Sequence, residues 1–327
     1  MNKLKLGLYW GAGCGGCEIA FLEIHEKILT LLERVEIVFA PCFIDVKYAD
    51  LRAMPDGSID ACFYNGAIRN DENEAIARLL RRKSKLLIAY GACAVMGGIP
   101  GLANMHTAGE ILERIYKTTE STDNPSGILP EPSSSIAEGR DIELAEVRPQ
   151  AKALRQVVAV DYFMPGCPPT EKQTWRVCED LVEGRLPLPG SIVGAGERSV
   201  CAECPREKRG TKIKAFKRPH EVTPDGETCL LEQGLLCMGP ATRSGCEALC
   251  PRVNMPCRGC YGPAGREKDQ GAQMIGVLGS VIDHDDDGAL SAALESVIDP
   301  AGTFYRFSLP TSSLGRSRSP ARKRRLP

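Results

Sequence analysis

The first part of the chain alternates between short apolar runs, rich in β-branched and aromatic residues, and stretches whose apolar positions recur at helical spacing. KLKLGLYW (3–10), VEIVFA (35–40), IDACFY (59–64), KLLIAY (85–90) and QVVAVDYF (156–163) predict five strands. Between the first two, Glu18 to Glu33 carries Ile19, Phe21, Leu22, Ile24, Ile28, Leu29 and Leu32, with charges on the opposite side, and so predicts an amphipathic helix. Further helices are predicted over Asn70–Lys83, His106–Lys117 and Thr170–Gly184, the first opened by Asn and the last by Pro-Pro-Thr. Strands alternating with helices in this way imply the α/β class and an open parallel sheet.

Residues 119–150 are rich in Pro, Ser and acid, and interrupt the alternation as a surface excursion. After Leu186 the texture changes. Pro187, Pro189 and several glycines mark a boundary, and residues 201–260 carry almost no periodic apolar pattern. A segment of that kind cannot offset its ordering entropy by apolar burial alone, so something else is expected to hold it. Two short helices are predicted near 272–283 and 289–298, followed by the basic run RSRSPARKRRLP. The expected organisation is a flavodoxin-like α/β domain over 1–190, a smaller loop-rich domain over 191–300 and a solvated C-terminal tail over 301–327.

With 41 basic and 42 acidic residues the net charge is -1, which gives no global argument for nucleic acid or an acidic membrane surface. No segment has the organisation of a cleavable leader, and no apolar run approaches the roughly 20 residues that span a bilayer. A cytoplasmic location is therefore expected. That expectation decides how the 15 cysteines are read, because persistent disulfides are rare in most cytosols. Metal binding becomes the leading reading.

Cys14 and Cys17 lie in GAGCGGC after the first predicted strand, Cys93 in YGACAVMGG after the fourth, and Cys167 in FMPGCPP after the fifth. The carboxyl ends of parallel strands open onto one edge, where ligands bind, so distant segments deliver four thiols to one place. Four cysteines are the normal ligand demand of a 4Fe-4S centre. GAGCGG also echoes a dinucleotide-binding loop weakly, but it lacks the full glycine fingerprint. Cys62, inside a strand, and Cys178, inside a helix, read as small apolar residues. Cys42, at the end of the second strand, reads the same way, with the crevice as its alternative.

Eight more cysteines, Cys201, Cys204, Cys229, Cys237, Cys246, Cys250, Cys257 and Cys260, make two further sets of four. Cys246-x3-Cys250-Pro251 is like the ending of ferredoxin runs. Zinc held by CxxC knuckles is the alternative. The irregular spacings and the lack of any histidine in 229–260 favour iron-sulfur over zinc.

Taken together, CGGC (14–17), GACAVMGGIPGLAN (91–104), PGCPPTEKQTW (165–175), CLLEQGLLCMGP (229–240) and PCRGC (256–260) resemble the cluster motifs of the small, electron-transfer subunit of nickel-iron hydrogenases. The resemblance covers residues 1 to about 263. The related respiratory complex I subunit would have adjacent cysteines in the first motif. Within the family the chain most resembles the cytoplasmic, viologen-reducing type associated with heterodisulfide reductase.

The resemblance implies three 4Fe-4S clusters: a proximal one on Cys14, Cys17, Cys93 and Cys167, a medial one on Cys246, Cys250, Cys257 and Cys260, and a distal one on Cys201, Cys204, Cys229 and Cys237. It places the first in the 1–190 domain and the other two in the 191–300 domain. Cys201 stands where many members have histidine, and Cys250 supplies a fourth medial ligand. The acidic residue expected two positions after the second proximal cysteine is displaced to Glu18. The resemblance further implies a large-subunit partner holding the nickel-iron site, an iron-sulfur electron-transfer subunit and heterodisulfide reductase as further partners, and no catalytic residue in this chain. The small subunit of a deazaflavin-reducing hydrogenase and a zinc-stapled interaction protein are the competing readings.

Overall fold

The computed structural model describes residues 3–136, 140–265, 268–282 and 286–315. Strand β1 (Leu4–Trp10) leads into helix α1 (Gly16–Leu22) and helix α2 (Lys27–Arg34), then β2 (Val35–Phe39), α3 (Tyr48–Ala53), β3 (Ile59–Asn65) and β4 (Ile68–Asn70). Helix α4 (Asp71–Lys83), β5 (Ser84–Tyr90) and α5 (Gly91–Met96) follow, and then α6 (Ala108–Glu113), which continues as a π-turn to Thr118. Next come β6 (Ser133–Ile136), β7 (Arg140–Glu143), β8 (Val147–Lys152), β9 (Tyr162–Met164) and α7 (Glu171–Val182). Helices α8 (Leu249–Arg252), α9 (Gln270–Val281), α10 (Asp287–Glu295) and α11 (Pro300–Phe304) complete the order among the described residues.

The central sheet has the order β2-β1-β3-β5-β9, and every pairing in it is parallel. This is the flavodoxin-like winding, with its switch point beside β1. Strand alternation explains how both faces are covered. In β3, Ala61 and Phe63 face a layer containing Phe21, Leu31, Val177 and Leu181, while Cys62 and Tyr64 face Leu51, Ile76 and Leu80. Helices α1, α2 and α7 therefore cover one face and α3, α4 and α5 the other. Helix α4 illustrates how local sequence sets an element. Asn70 caps it by accepting from the Asn73 amide at 2.7 Å, acids fill its first turn, and Arg81, Arg82 and Lys83 fill its last, in accord with the helix dipole.

Three predicted elements differ. The helix expected over 18–33 breaks at residues 23–26, where His25 takes a left-handed φ of 55°, so that α1 and α2 each turn an apolar stripe to the sheet. Of the strand expected over 156–163, only its end pairs. Val157, Val158 and Val160 instead pack against the core as irregular chain after a 3-10 turn at Leu154–Gln156. The 119–150 excursion holds an antiparallel hairpin, β6–β7, and its last strand, β8, pairs antiparallel with β4.

The cysteine-rich part has an apolar core of its own, contrary to expectation. Val200, Ile213, Phe216, Leu230, Leu231 and Leu235 pack on Met274 and Leu278 of α9 and on Phe304 and Tyr305. Apart from those on α9 and α11, its apolar residues come from turns and irregular chain, which is why no periodicity betrayed them. The tail expected from residue 301 is packed structure through Gly315. Gly98 donates to the Phe307 carbonyl at 2.9 Å, and the Gln156 side chain donates to the Pro310 carbonyl at 2.9 Å. The remainder, 316–327, lies outside the described residues. Among the described residues no helix is long and apolar enough to cross a membrane.

Cys62 and Cys178 are fully buried, and burial pushes both thiols up to about 12. In the unfolded chain they ionise near about 8.5. Above that value the folded state holds more protons than the unfolded one, so stability is complete below it and falls as pH rises toward 12. Each thiol contributes a slope of about 1.4 kcal/mol per pH unit. Denaturant unfolding followed between about pH 9 and 11 should show a shallower fall for Cys62→Ala than for the parent chain.

Candidate functional site

The segments that follow β1, β5 and β9 all emerge at the carboxyl edge of the sheet, and they carry Cys14 and, at the start of α1, Cys17, then Cys93 in α5, and Cys167. The structure brings these four thiols within reach of one another. Burial pushes Cys17 up, and Cys93, Cys167 and Cys14 push it further. Burial likewise raises Cys93, to about 12, with Cys167 and Cys14 adding to it, and raises Cys167 with Cys14 adding. Glycine is required for this close approach at two places. A Cβ on Gly91, at φ +85°, would stand 2.4 Å from the Cys17 sulfur, and one on Gly98, at φ +57°, 2.4 Å from the Cys93 sulfur.

Cys42 is exposed and takes no part in the interactions of that set, although it senses Glu18. Glu18 itself is buried. Its Oε1 accepts from the Asn65 side chain, its Oε2 is buried without a partner, and burial raises its carboxyl above the usual range.

The second set, Cys201, Cys204, Cys229 and Cys237, lines a cavity of about 300 Å³. Burial raises Cys237 to about 12, and Cys201 and Cys229 add to the shift. Burial also raises Cys201, but the ammonium of Lys208 beside it pulls in the opposite direction. The third set, Cys246, Cys250, Cys257 and Cys260, lines a cavity of about 450 Å³ together with Cys167. Burial pushes Cys260 up to about 12, with Cys246, Cys167 and Cys250 adding, and pushes Cys257 up, with Cys237 and Cys260 adding.

Two links put the sets in a row. Cys167 of the first set lines the same cavity as Cys246, Cys250, Cys257 and Cys260, which joins the first set to the third. The Cys257 amide donates to the Cys237 sulfur at 3.3 Å, which joins the third to the second. The order in space is therefore first, third, second.

Among the described residues, no group of three or more His, Cys, Asp or Glu side chains converges closely enough to hold one metal ion. The second and third sets surround cavities instead. Their donors are all sulfur, and the neighbouring backbone comes close without side chains in the way, at Gly239 for Cys201 and Cys237. Such an arrangement fits a multi-atom, thiolate-ligated group better than a single tetrahedral ion. Filling it would release protons, because ligating cysteines bind as thiolates and burial holds Cys201, Cys237, Cys246, Cys257 and Cys260 protonated.

Other residues that support the site carried no sequence signal. Arg206 is buried and donates to the carbonyls of Pro251, Asp225 and Thr228, so it ties the Cys229 loop to the Cys250 loop. In the sequence it sits in PREKRG, which reads as solvated charge. Tyr261 donates to Gln173 Oε1 at 2.6 Å and anchors the third set to α7. Gln270 donates to the Gly259 carbonyl at 2.9 Å and to Thr242 Oγ1 at 3.1 Å, bracing the same loops from α9.

Comparison with known proteins agrees with the sequence motifs. The family described as "NADH ubiquinone oxidoreductase, 20 Kd subunit" matches residues 14–181, and the chain belongs to it. The iron-sulfur subunit of the F420-non-reducing hydrogenase of Archaeoglobus profundus is 42% identical over 96% of this chain and 98% of that protein. Its counterpart in the F420-non-reducing hydrogenase of Methanothermobacter marburgensis is 39% identical over 95% of this chain and 96% of that protein. A chain of the NAD+-reducing [NiFe]-hydrogenase in the H2-reduced state superposes with a TM-score of 0.49 at 30% identity, over 57% of this chain and 94% of that one. Within its family the chain is thus a hydrogenase component of the nickel-iron small-subunit type, an oxidoreductase subunit for electron transfer.

The fit of Gly91 against Cys17 generates a test. Gly91→Ala should cost about 2–4 kcal/mol, combining left-handed strain with overpacking against the sulfur. Gly57→Ala, at φ +69° in open space, should cost only the strain, about 1–2 kcal/mol. Side-by-side denaturant unfolding of the two variants measures the difference.

Proposed function

We propose that the chain holds three 4Fe-4S clusters in a row and carries electrons from dihydrogen oxidation on a nickel-iron large subunit to a heterodisulfide reductase-type partner. The observation that carries this reading is the linear order of the three cysteine sets, linked through the cavity that Cys167 shares with the third set and by the Cys257–Cys237 contact. Clusters bound there would supply one-electron transfer without proton chemistry of their own. Cys14, Cys17, Cys93 and Cys167 would hold the proximal cluster, Cys246, Cys250, Cys257 and Cys260 the medial one, and Cys201, Cys204, Cys229 and Cys237 the distal one.

What the chain's own residues do follows from their surroundings. The amide of Cys257 gives a hydrogen bond to the Cys237 sulfur, which stabilises extra negative charge there. Lys208 places a positive charge beside Cys201 at the far end of the row, favouring the reduced state where electrons leave. Cys237 and Cys257 are buried where the second and third sets meet. Next to the proximal set, Trp10, Ile19 and Leu22 are apolar and exposed, a surface suited to the large subunit. We place the assembly in the cytoplasm, in keeping with the reduced state that twelve ligand thiols need. The cavities that the second and third sets line suit a group of several atoms, which favours the iron-sulfur reading over the zinc one.

Anaerobically purified protein should contain about 12 iron and about 12 sulfide per chain, as three cubanes require. Zinc without sulfide would overturn the proposal. Cys250→Ala should alter the electron paramagnetic resonance signal of the medial cluster and leave the distal signal intact, and the reverse result would redraw the ligand sets. For the acceptor, dihydrogen added to the purified complex should reduce a viologen and leave the deazaflavin coenzyme oxidised.

A further inference from the structure

Beside the third cysteine set lies a cavity of about 390 Å³ with no part in the electron path described above. Its wall includes Lys217, Arg218, His220, Arg258 and Arg306, and a single carboxylate, Asp299. That carboxylate is already engaged: its Oδ1 accepts from the Gly302 amide at 2.9 Å and caps α11. Among the described residues none of the four Lys and Arg side chains lies in an ion pair.

Arg306 is the clearest sign that this concavity is built to be filled. It is half-buried, and its Nε is buried with no hydrogen-bond partner. Burial, and then the neighbouring Arg258, push its pKa down, with Asp299 offsetting part of the effect. Two guanidinium groups sharing a half-buried space repel each other and lose hydration, and a buried donor left unbonded adds to that cost. A ligand with several acceptor oxygens and negative charge would relieve the repulsion and replace the lost hydration. Guanidinium forks match the oxygens of phosphate, and the lysine adds a point charge.

We infer that this cavity, formed by the Lys217–His220 loop, Arg258 and Arg306, is a binding site for a compact phosphate-class oxyanion. Cys257 and Met238 also line it, so a bound anion would lie against the boundary between the second and third cysteine sets. The anion site itself stands on the cavity and its charges, whatever the cysteines hold.

The test uses the intact complex as isolated, in phosphate-free buffer of low ionic strength, titrated with inorganic pyrophosphate by calorimetry. Saturable binding at one site per chain is expected. Arg306→Gln should weaken it at least about tenfold, the loss of one charge-assisted bidentate contact. The exposed pair Lys217→Gln with Arg218→Gln, which does not disturb buried packing, should weaken it comparably. Lys85→Gln, whose partner is Asp60 in the other half of the chain, should leave it unchanged. Absence of saturable binding overturns the inference, and so does equal binding by the parent and both cavity variants.

Discussion

The structure is organised around sulfur that has to be crowded. Burial raises the pKa of Cys17, Cys93, Cys257 and Cys260, neighbouring thiols add to it, and nothing in the thiols themselves favours gathering them. The rest of the chain supplies the force. In the first half, a parallel sheet packed on both faces fixes the three loops that carry the first set. In the second half there is no sheet among the described residues, and the loops are held by Arg206, Gln270 and Tyr261 and by an apolar cluster built on α9. Fixed in this way, the loops hold their thiols ready for a ligand instead of letting them spread.

The row of sets follows from how the two halves meet. Tyr261 of the second half reaches Gln173 on α7, and this brings Cys260 to Cys167 at the sheet edge. A second contact, from the Cys257 amide to the Cys237 sulfur, carries the row outward. A separation short enough for a backbone amide to bridge two sets suits electron transfer, and it makes the Cys257 amide a natural point of control. The cationic cavity at Cys257 adds a second such point, where a bound anion would act on the middle of the row.

Much of this was legible in the sequence. Five strands in a flavodoxin-like winding follow from apolar runs between helical stretches, and the structure has that sheet. The grouping of Cys14, Cys17, Cys93 and Cys167 follows from the rule that parallel strands open onto one edge. What remained hidden has physical causes. The break at His25, which takes a left-handed φ, interrupts an apolar stripe that is continuous in the sequence. Apart from α9 and α11, the core of the second half is assembled from residues in turns and irregular chain, and Arg206 looks like any surface arginine until the carbonyls of two loops converge on it. Spacing alone also left zinc and iron-sulfur open for the last eight cysteines. The cavities that those cysteines line are a three-dimensional fact with no sequence counterpart.

The central claim is that each of the three sets holds a cluster and that the medial one stands between the other two. Anomalous diffraction at the iron edge, from crystals of the intact complex grown without oxygen, tests it most directly. The account predicts three iron peaks along this chain: one among Cys14, Cys17, Cys93 and Cys167, one among Cys201, Cys204, Cys229 and Cys237, and the middle one among Cys246, Cys250, Cys257 and Cys260. A set without an iron peak, or a zinc-edge signal in its place, would contradict it.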